Sequence, residues 1–347
     1  MKAILVRRAD AAAGVVAGRV ACHDVRDAAG QVAIAKGEAL TGESARRLLA
    51  LGWDEVHLLE LEPGDIPEEP AGARLSAAAR GVGVEVRGYT GGQWTLAAGR
   101  RGLVDVRQEA LRGVNALPGM SVFTLWDLQP VEEGEAVARA KVTPLAIDEA
   151  VLREAERLAA GAGGLVAVRP FRPRVIGALA PGRLPARQRE RFEASLAEKI
   201  GWYGSRLLPV RYAEDGGAGV AAEMEALLAA GADMLVAAGA GSLDPLDPIF
   251  VGLEGAGGRM VRHGAPAHPG SLLWLADLRG RTVLGMPTCG MFSQATVFDL
   301  VLPRLLAGDA LDNLDLAALG HGGLLSRDSA WRFPPYRQTA ARGEVGE

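Results

Sequence analysis

The residues best suited to chemistry follow apolar runs of the chain. After Asp233-Met-Leu-Val-Ala-Ala comes Gly239-Ala-Gly-Ser-Leu-Asp-Pro-Leu-Asp. Gly239 and Gly241 let a backbone approach a ligand closely. Ser242 can donate a hydrogen bond, and Pro245 suits a first helical turn, whose free N–H groups attract anions. Asp244 and Asp247 are acceptors three residues apart, able to hold Mg²⁺ or the polar ring of a ligand. An equal reading is a plain glycine turn with Asp244 as a helix cap.

A second cluster follows Thr282–Met286: Pro287-Thr-Cys-Gly and then Met291-Phe-Ser-Gln. Thr288, Ser293 and Gln294 gather there at a helix start. Cys289 sits where a helix dipole can lower a thiol pKa. No histidine is close in sequence to activate it, so a small buried turn residue is the preferred reading. After Arg174–Ala180, Arg183 and Arg187 can meet phosphate with the planar guanidinium fork; Arg189 and Arg191 read as solvated. His263 and His268 lie five apart on a glycine-proline loop, a spacing open to acid–base or metal chemistry. With no third ligand at a recognised spacing, a pocket wall is the plainer reading.

The elements that must position these residues fall into two rhythms. Residues 1–165 read as mixed α/β: a helix capped at Thr41 or Ser44, a strand over Glu55–Leu61, and a polar turn region over Pro63–Ala73. Short β-type runs between glycines from Val84 to Lys141 suggest a small barrel or sandwich. A helix follows over Ile147–Ala160. Residues 166–325 then alternate strands and helices, which argues for a mostly parallel sheet with helices on both faces. Ligands of such sheets bind beyond the carboxyl ends of the strands. Residues 326–347 read as a surface tail docked by Trp331, Phe333 and Tyr336.

Composition narrows the function classes. The 347 residues carry a net charge of −4, and no long basic run points to nucleic acid. Only Lys2, Lys36, Lys141 and Lys199 are lysines, so an anion site would be built from arginine and backbone N–H groups. Two distant cysteines, Cys22 and Cys289, give neither zinc spacing nor a disulfide framework. No apolar stretch is long enough for a membrane span, and no signal peptide is evident. A cytoplasmic protein is expected.

Taken in order, these segments resemble the molybdopterin-binding domain shared by molybdopterin adenylyltransferases and molybdopterin molybdotransferases. The likeness covers roughly Arg174 to Gly308. It rests on Gly239-Ala-Gly-Ser-Leu-Asp-Pro-Leu-Asp, His268-Pro-Gly-Ser and Gly285-Met-Pro-Thr. A divergent branch, joined in some members to a nucleotidyltransferase domain, extends the likeness upstream through Leu61-Glu-Pro-Gly-Asp-Ile and Ala138-Arg-Ala-Lys-Val-Thr-Pro-Leu-Ala-Ile. The resemblance implies a three-layer α/β domain preceded by a mixed, partly barrel-like region. It implies molybdopterin or its nucleotide form as ligand, held by Arg183, Gly239, Gly241, Ser242, Pro269, Gly270, Gly285, Pro287, Thr288 and Ser293. Asp244 and Asp247 would be the catalytic and Mg²⁺-holding pair. Three departures matter. The acid cluster is shifted to Asp244 and Asp247. His268 and Ser271 stand where molybdotransferases carry lysines, and Thr288-Cys289-Gly290 replaces Gly-Asn-Pro.

The expected role is cofactor biosynthesis or delivery, with molybdate insertion as one form. Adenylyl transfer from ATP and a non-catalytic carrier or sensor are the alternatives. An unrelated nucleotide-binding α/β protein is a further one. A molybdoenzyme or a nucleotidyltransferase would be the partner, and a homo-oligomer is expected as in family relatives.

Overall fold

The computed structural model describes residues 1–214, 216–239, 244–292 and 295–336. It is a mixed α/β protein that divides into two compact units. The first comprises Met1–Arg100, Val104–Asp127 and Glu132–Val168; the second comprises Arg101–Leu103, Leu128–Val131 and Arg169–Glu347.

In the first unit, Lys2–Arg7, Glu55–Glu60 and Val20–Ala21 form an antiparallel sheet. The helix Gly42–Ala50 starts at Thr41, whose hydroxyl accepts from the Ser44 N–H in a capping box. The Val84–Val142 region does not close into a barrel. It opens as a four-stranded antiparallel sheet in the order Met120–Thr124, Ala136–Val142, Gln93–Ala98, Val84–Thr90. One cause lies in the segment expected to be a turn. Residues Glu68–Ala79 are a helix that buries Ala71, Leu75 and Ala79 and packs on two of these strands. Pro70 is tolerated because N–H groups of a first helical turn have no intrahelical partner. The outer edge of Met120–Thr124 is capped at Val122, whose N–H and C=O both bond the Asn115 side-chain amide.

The second unit is built on a seven-stranded sheet. Numbered within this unit, its elements are β1 (Val175–Pro181), α1 (Ala186–Trp202), β2 (Arg206–Leu207), β3 (Arg211–Ala213), α2 (Gly217–Ala229), β4 (Met234–Ala238), α3 (Pro248–Gly255), β5 (Gly258–His263), β6 (Trp274–Leu278), β7 (Arg281–Met286) and α4 (Val297–Ala307). The order is β2-β1-β4-β7-β6-β5, with β3 also on β1. Strands β1 to β4 and β7 run parallel; β6 and β5 return antiparallel.

Alternate residues of the central strands enter two separate cores, as the two-residue period of a strand requires. Ile176, Ala178, Ala180, Val236, Ala238, Leu284 and Met286 pack with α1 and α4, through Phe192, Leu196, Ile200, Val301 and Leu302. Leu179, Leu235, Ala237 and Val283 pack with α2 and α3, through Val220, Met224, Ile249 and Leu253. Among the described residues, no helix is long and apolar enough to cross a membrane.

Candidate functional site

Parallel pairing aligns four strand ends, those of β1, β3, β4 and β7, on one edge. Leu179 pairs with Ala237, Pro181 with Ala213, and Ala238 with Met286. The chain leaves β4 at Gly239, whose N–H donates to the Met286 carbonyl at 3.1 Å. Gly239 has φ +81°, and a Cβ there would stand 3.1 Å from Pro181 Cδ and 3.6 Å from Met291 Sδ. A side chain is therefore disfavoured twice, by backbone sign and by crowding. Pro181, Gly239 and the Met286–Met291 corner are in contact as a result.

A cleft opens beside this junction, lined by Pro181, Arg183, Glu214, Gly239, Asp247 and Ile249 among others. Its volume of about 40 Å³ has room for little more than water. Arg183 is exposed at its rim. Arg189, read from sequence as solvated, instead holds the loop after β1. Its Nε donates to the Leu184 carbonyl at 2.9 Å, its Nη2 donates to the Gly182 carbonyl, and its guanidinium lies 4.2 Å from the Tyr212 ring centre. Burial, reinforced by the hydrogen bond to Glu193, pushes the Tyr212 hydroxyl well above the ordinary phenol range.

The two aspartates have local duties. Asp247, not Asp244, caps α3: its Oδ1 accepts from the Ile249 N–H at 2.9 Å, with Pro248 in the first turn. Asp244 Oδ1 accepts from the Leu246 N–H at 2.9 Å one turn earlier. Each carboxylate thus spends one oxygen on its own backbone. No group of three or more potential metal-ligating side chains occurs among the described residues. A Mg²⁺ held here would draw its remaining ligands from water and phosphate, which is how that ion usually binds.

Other expected ligand residues are placed differently. Gly285 lies inside β7, opposite Trp274, and a Cβ on it would fall 2.1 Å from the indole. Its missing side chain makes room for that ring. Pro269 and Gly270 adjoin α4, where the Val297 N–H donates to the Pro269 carbonyl at 3.0 Å. They do not line the Gly239 cleft. The two loop histidines separate: His263 packs on Phe250, whereas His268 bridges to Leu324 through the backbone. Thr288 and Cys289 are both exposed, so Cys289 is not the buried turn residue expected. Gly241, Ser242 and Ser293 lie outside the described residues.

A buried polar cluster at the start of α4 went unread in the sequence. Lys199 of α1 and Asp299 of α4 form an ion pair of 2.6 Å, each about 1% exposed. Asp299 Oδ1 also accepts from the Tyr336 hydroxyl at 3.1 Å, and Oδ2 accepts from the Thr296 N–H and hydroxyl at 3.0 Å. Tyr203 meets Tyr336 oxygen to oxygen at 3.0 Å. Burial raises both phenols well above their ordinary range, so they stay protonated as donors. Two signals were present: Thr296-Val-Phe-Asp299 has capping-box spacing, and Lys199 falls on the Phe192/Leu196/Ile200 stripe.

The first unit has a larger, open hollow of about 510 Å³, lined by Asn115, Met120, Ser121, Thr143 and Ile147 among others. It carries no charged side chain, and the Asn115 amide is spent on Val122. The Gly239 cleft, with Arg183, Glu214 and Asp247, is the better candidate.

No family model matches the chain, and none of the curated proteins matches it. Among solved structures, the chain is similar to the molybdopterin biosynthesis moea protein of Pyrococcus horikosii, with 13% identity and a TM-score of 0.31. That match covers 88% of this chain and 75% of the other. A likeness that low defines neither fold nor function.

Proposed function

We propose that the second unit is a three-layer molybdopterin-binding-like domain. In this reading it binds a phosphorylated pterin, molybdopterin or its nucleotide form, beyond the carboxyl ends of β1, β4 and β7. The protein would then serve molybdenum-cofactor biosynthesis or delivery. The carrying observation is the junction of Pro181, Gly239 and Met291, where loops after two strands meet at one point of the sheet edge. Supporting it, the sequence segments Gly239-Ala-Gly-Ser, His268-Pro-Gly-Ser and Gly285-Met-Pro-Thr follow the order of that domain.

The cleft is far smaller than the roughly 300 Å³ or more typical of ligand pockets. The pterin would therefore lie across its mouth, with phosphate near Arg183. Binding and delivery are favoured over turnover by two features. His268 and Ser271 replace two fixed cations, and Asp244 and Asp247 are each engaged by their own turn. Molybdate insertion or adenylyl transfer would route through the same two carboxylates.

The decisive test is anaerobic purification followed by mass spectrometry of the co-purifying ligand. Titration with molybdopterin and pyrophosphate release in ATP-Mg²⁺ would accompany it. Pterin binding without pyrophosphate is the expected result; pyrophosphate release would assign adenylylation. Binding of a plain nucleotide with no affinity for pterin would remove the reading.

A further inference from the structure

We infer that Tyr336 is a positioning residue for the His268-Pro269-Gly270 loop, and that residues 323–336 act as a strap on that loop. The relevance to ligand binding rests on the pterin reading above; the coupling itself does not.

The loop is tied to the strap from both sides. On one side the backbone is shared directly: the His268 N–H donates to the Gly323 carbonyl and the Leu325 N–H to the His268 carbonyl, both at 2.8 Å. On the other side the tie runs through α4. The Pro269 carbonyl accepts the Val297 N–H at 3.0 Å, and Gly270 packs so tightly there that a Cβ would stand 3.2 Å from Val297 N. Val297 is the first residue of α4, and its turn is closed by the Asp299 carboxylate on Thr296. Tyr336, at the far end of the strap, donates to that same carboxylate.

A buried carboxylate takes its orientation from its donors. Among the described residues, Thr296 holds one oxygen of Asp299; Lys199 and Tyr336 hold the other. The Lys199 ammonium also lies 5.4 Å from the Tyr336 ring centre, so the ring is fixed as well as the hydroxyl. Removing the hydroxyl leaves the ion pair and the capping box in place. The fold should survive while the first turn of α4, and the proline-glycine loop on it, lose a constraint.

The test is Tyr336→Phe in the full chain, read by hydrogen exchange and by binding of 6-hydroxymethylpterin monophosphate. Exchange at Val297 and Leu325 is expected to quicken by about tenfold, the scale of one hydrogen bond to a charged group. Leu235 and Val236 of β4 should exchange as in the wild type. The pterin phosphate should bind several-fold more weakly to the variant, because Thr296, held by Asp299, also lies against the Met286–Met291 corner, its Oγ1 3.6 Å from where a Cβ on Gly290 would stand. Tyr203→Phe, which keeps the Tyr336–Asp299 bond, should match the wild type in exchange. Unchanged exchange in Tyr336→Phe would overturn the coupling. So would equal acceleration in both variants, which would mean general loosening of the aromatic cluster. Faster exchange with undiminished pterin binding would overturn the positioning role. Should the wild type bind no pterin phosphate, the ligand reading fails and the exchange data still decide the coupling.

Discussion

Asp247 holds two roles that one substitution can separate. Its side chain caps α3 and its charge stands beside the Gly239 junction. Asparagine can keep the cap and remove the charge; alanine removes both. Asp247→Ala is expected to lose about 1 kcal/mol of stability, whereas Asp247→Asn stays within about 0.5 kcal/mol of the wild type. Urea midpoints check this. If the protein turns over substrate, both variants should lose that activity, and an Asp247→Asn that retains it would leave the residue a cap only. Gly285 gives the opposite lesson. As part of Gly-x-Pro it reads as a ligand glycine, but its reason is the Trp274 indole on the neighbouring strand. Gly285→Ala is expected to lower stability by about 2–3 kcal/mol through overpacking, seen as a lower melting temperature.

At the scale of elements, what local pattern controls was legible. The Phe192/Leu196/Ile200 stripe predicts α1 to within two residues, and the apolar runs at Asp233–Ala238 and Thr282–Met286 match the central strands β4 and β7 to within one residue. Boundaries failed where two local signals compete. The run Arg206-Leu-Leu-Pro-Val-Arg-Tyr reads as a single strand in the sequence, but Pro209 splits it into β2 and β3, since proline cannot donate to a ladder. The run Ser271-Leu-Leu-Trp-Leu also reads as a strand in the sequence, but the strand begins at Trp274, because the Leu273 N–H closes a turn on the Gly270 carbonyl. Helix α3 starts at Pro248 because Asp247 caps it. Each of Lys199 and Asp299 carried a local signal, but their pairing was not legible because a hundred residues separate them. Its cost when broken is correspondingly large. Lys199→Met is expected to destabilise the second unit by about 3–5 kcal/mol, because it strands a buried carboxylate. Adding Asp299→Asn should recover part of that loss. A double-mutant cycle in urea measures the coupling, and strictly additive losses would show that the pair is not coupled.

For the molecule as a whole, the ion pairs determine how stability responds to acid. In the second unit, burial alone would push the Asp309 carboxyl up, but the Arg169 and Arg304 guanidiniums outweigh it and hold the group below its usual range. Asp315 is held low by the Asp312 N–H and by Arg304. In the first unit, Arg74 grips both oxygens of Glu156 at 2.8 Å and lowers it likewise. Each is a carboxylate whose pKa is lower folded than unfolded. Their contribution is therefore complete above the unfolded value of about 4, and is lost as pH falls through the folded value. Urea unfolding should give a plateau from pH 7 to about 5 and a decline below about 4. Arg304→Met removes the guanidinium shared by Asp309 and Asp315. It should be less stable than the wild type at pH 7, and the two curves should converge toward pH 3, where those carboxylates are increasingly protonated in either protein. Parallel curves across that range would mean that Arg304 acts through packing of its stem, and that the acid sensitivity arises elsewhere.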